Sequence, residues 1–259
     1  MAKDIFSLKD RIALITGASR GIGEAIARIF ARHGAHVIIS SRKIDDCKLV
    51  ADSIIADGGT AEAYACHTGE MDHIEAIYQH IDSAHGGRID ILVNNAGTNP
   101  YFGHIVDTDI GAFQKTIDVN LRGYFFMSSQ AARRMRKTGG GTIVNVASVN
   151  GIKPGVKQGI YSITKAAVIN MSQAFAKECS EFNVRVNALA PGLVETKLSA
   201  ALHTNPELMK KVEDSVPLSR IAQPEEIAAA ALYLASDAGS YATASCFTVD
   251  GGLLAGGGL

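Results

Sequence analysis

An excess of basic residues, paired cysteines, spaced histidine ligands and long apolar runs are all missing from this 259-residue sequence. Each absence removes a class of function. Lysine and arginine number 25 against 26 aspartates and glutamates, a formal net charge of −1. Nucleic-acid binding needs a cationic footprint, so the balance points instead to a small-molecule ligand. Cys47, Cys66, Cys179 and Cys246 form no C-x-x-C pair, and the eight histidines make no H-x-x-x-H pair. Neither a zinc knuckle, a redox pair nor any other metal site is expected, and the cysteines read as buried free thiols of a reducing compartment. No apolar run approaches the ~20 residues of a membrane span. Met1 to Phe6 lead to Asp10-Arg11 without an apolar core of signal-peptide length. The expectation is a soluble, cytoplasmic protein with no membrane partner.

What is present is an alternation. The chain is 47% hydrophobic, enough for a sizeable core. Strands are predicted at 11–16, 37–40, 61–66, 89–94, 142–147, 184–189 and 246–249. Helices are predicted at about 21–33, 43–56, 70–84 and 160–182. Strands apolar on both faces, with helices between them, predict an α/β fold: a single Rossmann-like, doubly wound parallel sheet with helices on both faces. No linker, repeat or compositional break divides residues 1–259, so one domain is expected to bind cofactor and substrate alike. The stretch from Pro191 to Val216 lacks strand character and follows a strand's carboxyl end, where such sheets bind ligands. It is the candidate substrate loop.

Thr16-Gly17-Ala18-Ser19-Arg20-Gly21-Ile22-Gly23 links the first strand to the first helix. Glycines at 17, 21 and 23 omit the side chains that would block a tight turn and the close approach of a pyrophosphate. Free backbone N–H groups at the helix start can then hold the anion. The spacing is G-x-x-x-G-x-G rather than G-x-G-x-x-G, so the strand–turn–helix setting carries the assignment.

Tyr161 and Lys165 stand four apart on a predicted helix and therefore share a face. A phenol titrates near pH ~10, and a neighbouring ammonium is expected to lower that value and make the phenol a usable acid–base group. By itself Y-x-x-x-K is an ordinary helix pair. Ser148 alters that, because it closes the 142–147 strand at the ligand-binding edge and its hydroxyl can donate to a substrate oxygen. Asn120 alone reads as a polar helix residue.

Taken in order, Thr16 to Gly23, Asn94-Asn95-Ala96-Gly97, Asn120, Ser148, Tyr161-Ser162-Ile163-Thr164-Lys165, and Pro191-Gly192 with Thr196 resemble the short-chain dehydrogenases/reductases. The resemblance runs from Leu8 to about Leu254. It implies a catalytic set of Asn120, Ser148, Tyr161 and Lys165, with Asn120 holding a water in a proton relay to the lysine. Hydride passes between a nicotinamide and a carbonyl carbon while Tyr161 supplies or takes the oxygen's proton. It also implies cofactor contacts at Gly17, Ser19, Arg20, Gly21, Ile22 and Gly23 in the turn, and at Ser41 and Arg42 after the second strand. Further contacts fall at His67, at Asn94, Ala96 and Gly97, at Tyr161 and Lys165, and at Pro191, Gly192, Val194 and Thr196. At one position the sequence departs from the pattern: His67 stands where many members carry an aspartate near the adenine.

The second strand ends Ile39-Ser40-Ser41-Arg42, with serine where an NAD enzyme has an acid for the adenosine ribose. Arg42, with Arg20 opposite, can offer charge-assisted hydrogen bonds to a 2′-phosphate, so NADP(H) is the expected cofactor. By family position, the resemblance implies Asn99, Tyr101, Phe102, Val149, Asn150, Lys153, Leu193 and Leu198 as candidate pocket walls. The segments Asn99 to Gly103 and Ser40 to Lys43 are similar to the carbonyl and retinal reductase branch. A 3-oxoacyl-thioester reductase is the alternative, since Arg133-Arg134-Met135-Arg136-Lys137 could dock an acidic acyl carrier protein. A non-catalytic NADP-sensing module is a further one. The resemblance also implies a homotetramer, with the apolar stretches at 227–234 and 246–254 lying where relatives pair subunits.

Overall fold

The β-branched runs of the sequence lie side by side and all point one way. The computed structural model describes residues 4–196, 210 and 214–256. Among them are β1 (Ile12–Thr16), β2 (His36–Ser41), β3 (Thr60–Ala65), β4 (Ile91–Asn94), β5 (Gly141–Val146), β6 (Val184–Pro191) and β7 (Cys246–Val249). They form one parallel sheet in the order β3-β2-β1-β4-β5-β6-β7. The helices among the described residues are α1 (Gly21–Arg32), α2 (Ile44–Ala56), α3 (Met71–His85), α4 (Ile110–Ile117), α5 (Gly123–Thr138), α6 (Gly159–Cys179) and α7 (Pro224–Ala235).

Alternate strand residues face opposite sides, so each central strand feeds two cores. Ala13 and Ile15 of β1, Val37 and Ile39 of β2, and Ile91 and Val93 of β4 pack with α1, α2 and α7. Leu14, Ile38 and Leu92 point the other way, against Ile74, Ile77 and Ile81 of α3 and Met127 and Met135 of α5. The expected doubly wound α/β sheet is thus the observed one. The strand order reverses at β1 and β4, with β2 and β3 added to one side and β4 to β7 to the other, so a crevice opens at their carboxyl ends.

Two departures from the sequence reading matter for the site. β5 stops at Val146, so Ser148 does not close the strand but caps a 3-10 turn, Val149–Gly151, two residues beyond it. The region 110–138, given no helix bounds in the sequence reading although Asn120 reads as a polar helix residue, is α4 and α5 joined by a π turn, Asp118–Arg122. Ile110 and Phe113 of α4 are exposed, so their spacing marks no buried face for a pattern reading to find.

Candidate active site

The glycine turn and the Asn94–Gly97 segment meet across the β1–β4 crevice. Thr16 Oγ1 accepts from the backbone N–H of Asn95 at 2.9 Å and of Ala96 at 3.1 Å. The Asn95 side chain donates back to Thr16 O and Gly17 O at 2.9 and 3.2 Å. This contact gives two of the glycines a reason different from the one expected. A Cβ on Gly17 (φ +65°) would lie 2.8 Å from Ala96 Cα, and one on Gly23 would lie 2.5 Å from Asn95 Nδ2. Gly17 and Gly23 therefore let the turn seat on the β4 loop. Gly21 (φ +58°) faces Thr196, whose Cγ2 would be 3.3 Å from its Cβ. Arg20, extended at φ −173°, caps α1, and the first-turn N–H groups follow it. Thr16 and Asn95 were absent from the expected site set; the signal for Asn95 was present in the doubled asparagine.

Asn94 is fully buried. Its side chain donates to Asn145 Oδ1 at 2.8 Å and Ser128 Oγ at 2.9 Å, so only its backbone lies at the crevice edge. Asn120 is also fully buried, in the π turn. Its Oδ1 accepts from Thr98 N at 2.8 Å while its Nδ2 donates to Thr98 O at 2.9 Å. The amide is spent on clamping the loop after Gly97. π turns of this kind frequently mark functional positions. A Cβ on Gly97 would sit 3.7 Å from both Asn120 Oδ1 and Lys165 Nζ, which places these three groups together.

Ser148, Tyr161 and Lys165 converge beside them. Lys165 is 3% exposed, and its Nζ donates to Val146 O at 2.8 Å, at the end of β5. Its ammonium lies 5.7 Å from the centre of the Tyr161 ring. Burial pushes the Tyr161 phenol up, and its interaction with the Ser148 hydroxyl pulls it back. Ser148 Oγ also accepts from Asn150 N at 3.1 Å. Burial holds the Lys165 ammonium down, to about 7. In the chain alone, desolvation outweighs the Ser148 hydroxyl at the tyrosine.

The other expected cofactor positions line the same carboxyl edge. Ser41 ends β2, with its hydroxyl 3.1 Å from Cys47 Sγ. Arg42 and Arg20 are exposed, and neither side chain has a partner among the described residues. Asp45 and Asp46 lie in the first turn of α2, past the position of the ribose-binding acid. His67 follows β3; its Nδ1 accepts from Gly69 N at 3.0 Å, which leaves the ring proton on Nε2. Pro191 ends β6, Gly192 N donates to Val249 O at 2.9 Å, and the buried Val194 bridges to Ala222. Ser19, Ile22 and Ala96 sit partly exposed around the turn.

The expected pocket walls divide. Asn99 Nδ2 donates to Gln158 Oε1 at 3.2 Å and Gly103 N to Lys157 O at 3.0 Å, which docks the 99–103 loop onto the segment entering α6. Phe102 and Lys153 are exposed, Asn150 and Leu193 partly buried, Val149 buried. Leu198 and most of the substrate loop, 197–209 and 211–213, lie outside the described residues. The basic run is less free than its sequence suggests. Arg134 pairs with Asp82 through Nε at 2.7 Å and Nη2 at 2.6 Å, and Arg136 stacks 4.2 Å over Phe182.

A switch in strand order, a glycine turn ahead of a helix, and a serine–tyrosine–lysine cluster beside it define a dinucleotide-dependent class of doubly wound α/β protein. A family model described as enoyl-(acyl carrier protein) reductase matches residues 17–254. The human "Dehydrogenase/reductase SDR family member 4" is 35% identical over 245 residues, covering 95% of this chain and 88% of its own. A gluconate 5-dehydrogenase from Burkholderia cenocepacia, solved with NADP and tartrate, superposes with a TM-score of 0.93 at 32% identity, covering 97% of this chain and 98% of its own. A 7α-hydroxysteroid dehydrogenase, solved with NADH and 7-oxo glycochenodeoxycholic acid, gives 0.92 at 34%, again covering 97% and 98%. The chain belongs to the short-chain dehydrogenase/reductase family.

Proposed function

We propose that the protein is an NADP(H)-dependent oxidoreductase that interconverts a carbonyl and a secondary alcohol, with cofactor and substrate held by one domain. The observation that carries this reading is the meeting of Ser148, Tyr161, Lys165 and the Asn120 loop at one point beside the glycine turn. The nicotinamide, when bound, supplies or accepts the hydride. Ser148 donates to the substrate oxygen and orients it. Tyr161 delivers the proton to that oxygen in reduction and removes it in oxidation. Lys165, anchored on Val146 O, holds the nicotinamide ribose and restores the tyrosine's proton. Since the Asn120 amide is spent on Thr98, its part in the relay falls to its main-chain carbonyl, which holds the relay water.

The preference for the 2′-phosphorylated cofactor rests on the end of β2. A carboxylate there would repel the phosphate; instead Arg42 is exposed and unpaired, with Arg20 opposite. His67, with its proton on Nε2, meets the adenine as a donor where the usual aspartate would accept. The likeness of Asn99 to Gly103 and of Ser40 to Lys43 to the carbonyl and retinal reductase branch favours a general carbonyl reductase. The carrier-protein alternative is not better supported, since Arg134 and Arg136 of the basic run are engaged within the chain.

Tyr161→Phe tests the mechanism. Turnover with a ketone panel should fall by about a hundredfold or more, the usual contribution of a positioned acid–base group. NADPH binding, followed by fluorescence titration, should persist. Near-native turnover in the variant would remove Tyr161 from the reaction.

A further inference from the structure

At the opposite, amino-terminal edge of the sheet, far from the glycine turn, four titratable side chains converge on one point. His36 is the first residue of β2, Glu62 the third of β3, and His85 the last of α3, with His80 one turn before it. His85 Nε2 lies 2.7 Å from Glu62 Oε1, and His36 Nε2 lies 3.7 Å from the same oxygen. His80 Nε2 is 3.3 Å from the other carboxylate oxygen.

We propose that His36, Glu62 and His85 form a site for one zinc-like divalent transition-metal ion, with His80 holding the carboxylate in place. The three donor atoms all lie within 4.8 Å of one another. A tetrahedral ion with ligands at about 2.0–2.2 Å sets its donors roughly 3.3–3.6 Å apart. The two separations from Glu62, 2.7 and 3.7 Å, straddle that spacing, and the third lies within 4.8 Å, so side-chain adjustments of about an ångström would bring the donors to it. A second feature points the same way. His36 Nε2 is shielded from solvent and, beyond its 3.7 Å approach to Glu62 Oε1, makes no hydrogen bond, so the ring nitrogen is poorly satisfied in the metal-free protein.

The donor set selects the ion class. Two imidazoles and one carboxylate suit zinc and its late first-row neighbours, whereas calcium and magnesium demand oxygen shells. All three donor residues are partly exposed, His85 least at 15% of its side chain, so a water can complete the coordination. The donors come from three elements, and β3 is the edge strand of the sheet. A bound ion would tie β3 and α3 to β2 and so stabilise that edge. The sequence reading, which expected no metal, had no access to this site. His80 and His85 are five apart, and the other two donors lie on different strands.

The test uses full-length protein without a histidine tag, stripped with chelator and titrated with Co²⁺ by visible absorption and with Zn²⁺ by calorimetry. The expected result is one ion per chain, low-coordinate Co²⁺ bands without thiolate charge transfer, and a higher melting temperature with Zn²⁺. His36→Gln and His85→Gln should each weaken binding by about a hundredfold, while His73→Gln leaves it intact. Absence of stoichiometric binding by the wild-type chain would overturn the proposal whatever the variants do. So would retention of wild-type affinity in both His36→Gln and His85→Gln.

Discussion

A lysine enclosed on all sides is a costly residue to keep, and Lys165 shows the cost in its titration. Burial holds its ammonium down to about 7, whereas the unfolded chain keeps that proton to ~10.4. Between these values the unfolded state binds more protons, so wild-type stability rises with pH across that window. Below pH 7 the folded state bears the whole cost of burying the charge. Lys165→Met removes it. The cofactor-free variant should melt a few degrees above wild type at pH 6.5, with the gap shrinking towards pH 9, while losing turnover. A gap that is negative or constant between these pH values would refute the assignment. Arg42 makes the second residue-scale prediction. Charge-assisted hydrogen bonds contribute roughly 1.5–3 kcal/mol each, so Arg42→Ala should cost NADPH at least tenfold in kcat/KM and leave NADH nearly unchanged. Equal wild-type constants for the two cofactors, or equal losses in the variant, would show that β2 does not read the phosphate.

Elements differ in how much of themselves they write into the sequence. β1, β2 and β4 were legible because both their faces are buried, which demands unbroken apolar runs. α1 was legible from its glycines and its apolar spacing. α4 was not, because Ile110 and Phe113 face outwards and its cap, Asp109 accepting from Ala112 N at 2.9 Å, is a short polar signal. The π turn was invisible for a different reason. It depends on Asn120 gripping both backbone groups of Thr98, a contact between segments that no local pattern encodes. The glycine turn shows a motif recognised correctly for a partial reason: its glycines are needed as much for seating on Asn95 and Ala96 as for admitting phosphate.

Over the whole molecule, the surface revises the case for self-association. The apolar residues of α7 that suggested an interface, Ile227, Ala228, Ala231, Leu232 and Leu234, are buried in the core with α1. Of the other expected stretch, 246–254, Phe247 on β7 is exposed, and further exposed apolar groups include Phe113 on α4, Phe125 and Phe126 on α5, and Ile163 on α6. Phe125 packs edge-on against Phe126 and Phe175, making a continuous aromatic patch across α5 and α6. Contiguous exposed patches of this kind mark association surfaces. The proposed homotetramer should therefore use α5 and α6. Light scattering is expected to give the mass of four chains for the wild type and a smaller species for Phe125→Glu with Phe126→Glu. A monomeric wild type at working concentration would end the proposal.

The sequence by itself determined the parallel α/β architecture, the family, and the identities of the Ser148, Tyr161 and Lys165 cluster. Each of these is carried by local spacing or by a contiguous motif. The tertiary structure decided what depends on residues distant along the chain. It places burial against the Ser148 hydroxyl at the free Tyr161 phenol, spends the Asn94 and Asn120 amides on internal contacts, and brings His36, Glu62, His80 and His85 to one corner. Desolvation and side-chain convergence are properties of neighbours in space, and a linear pattern holds no record of which neighbours those will be.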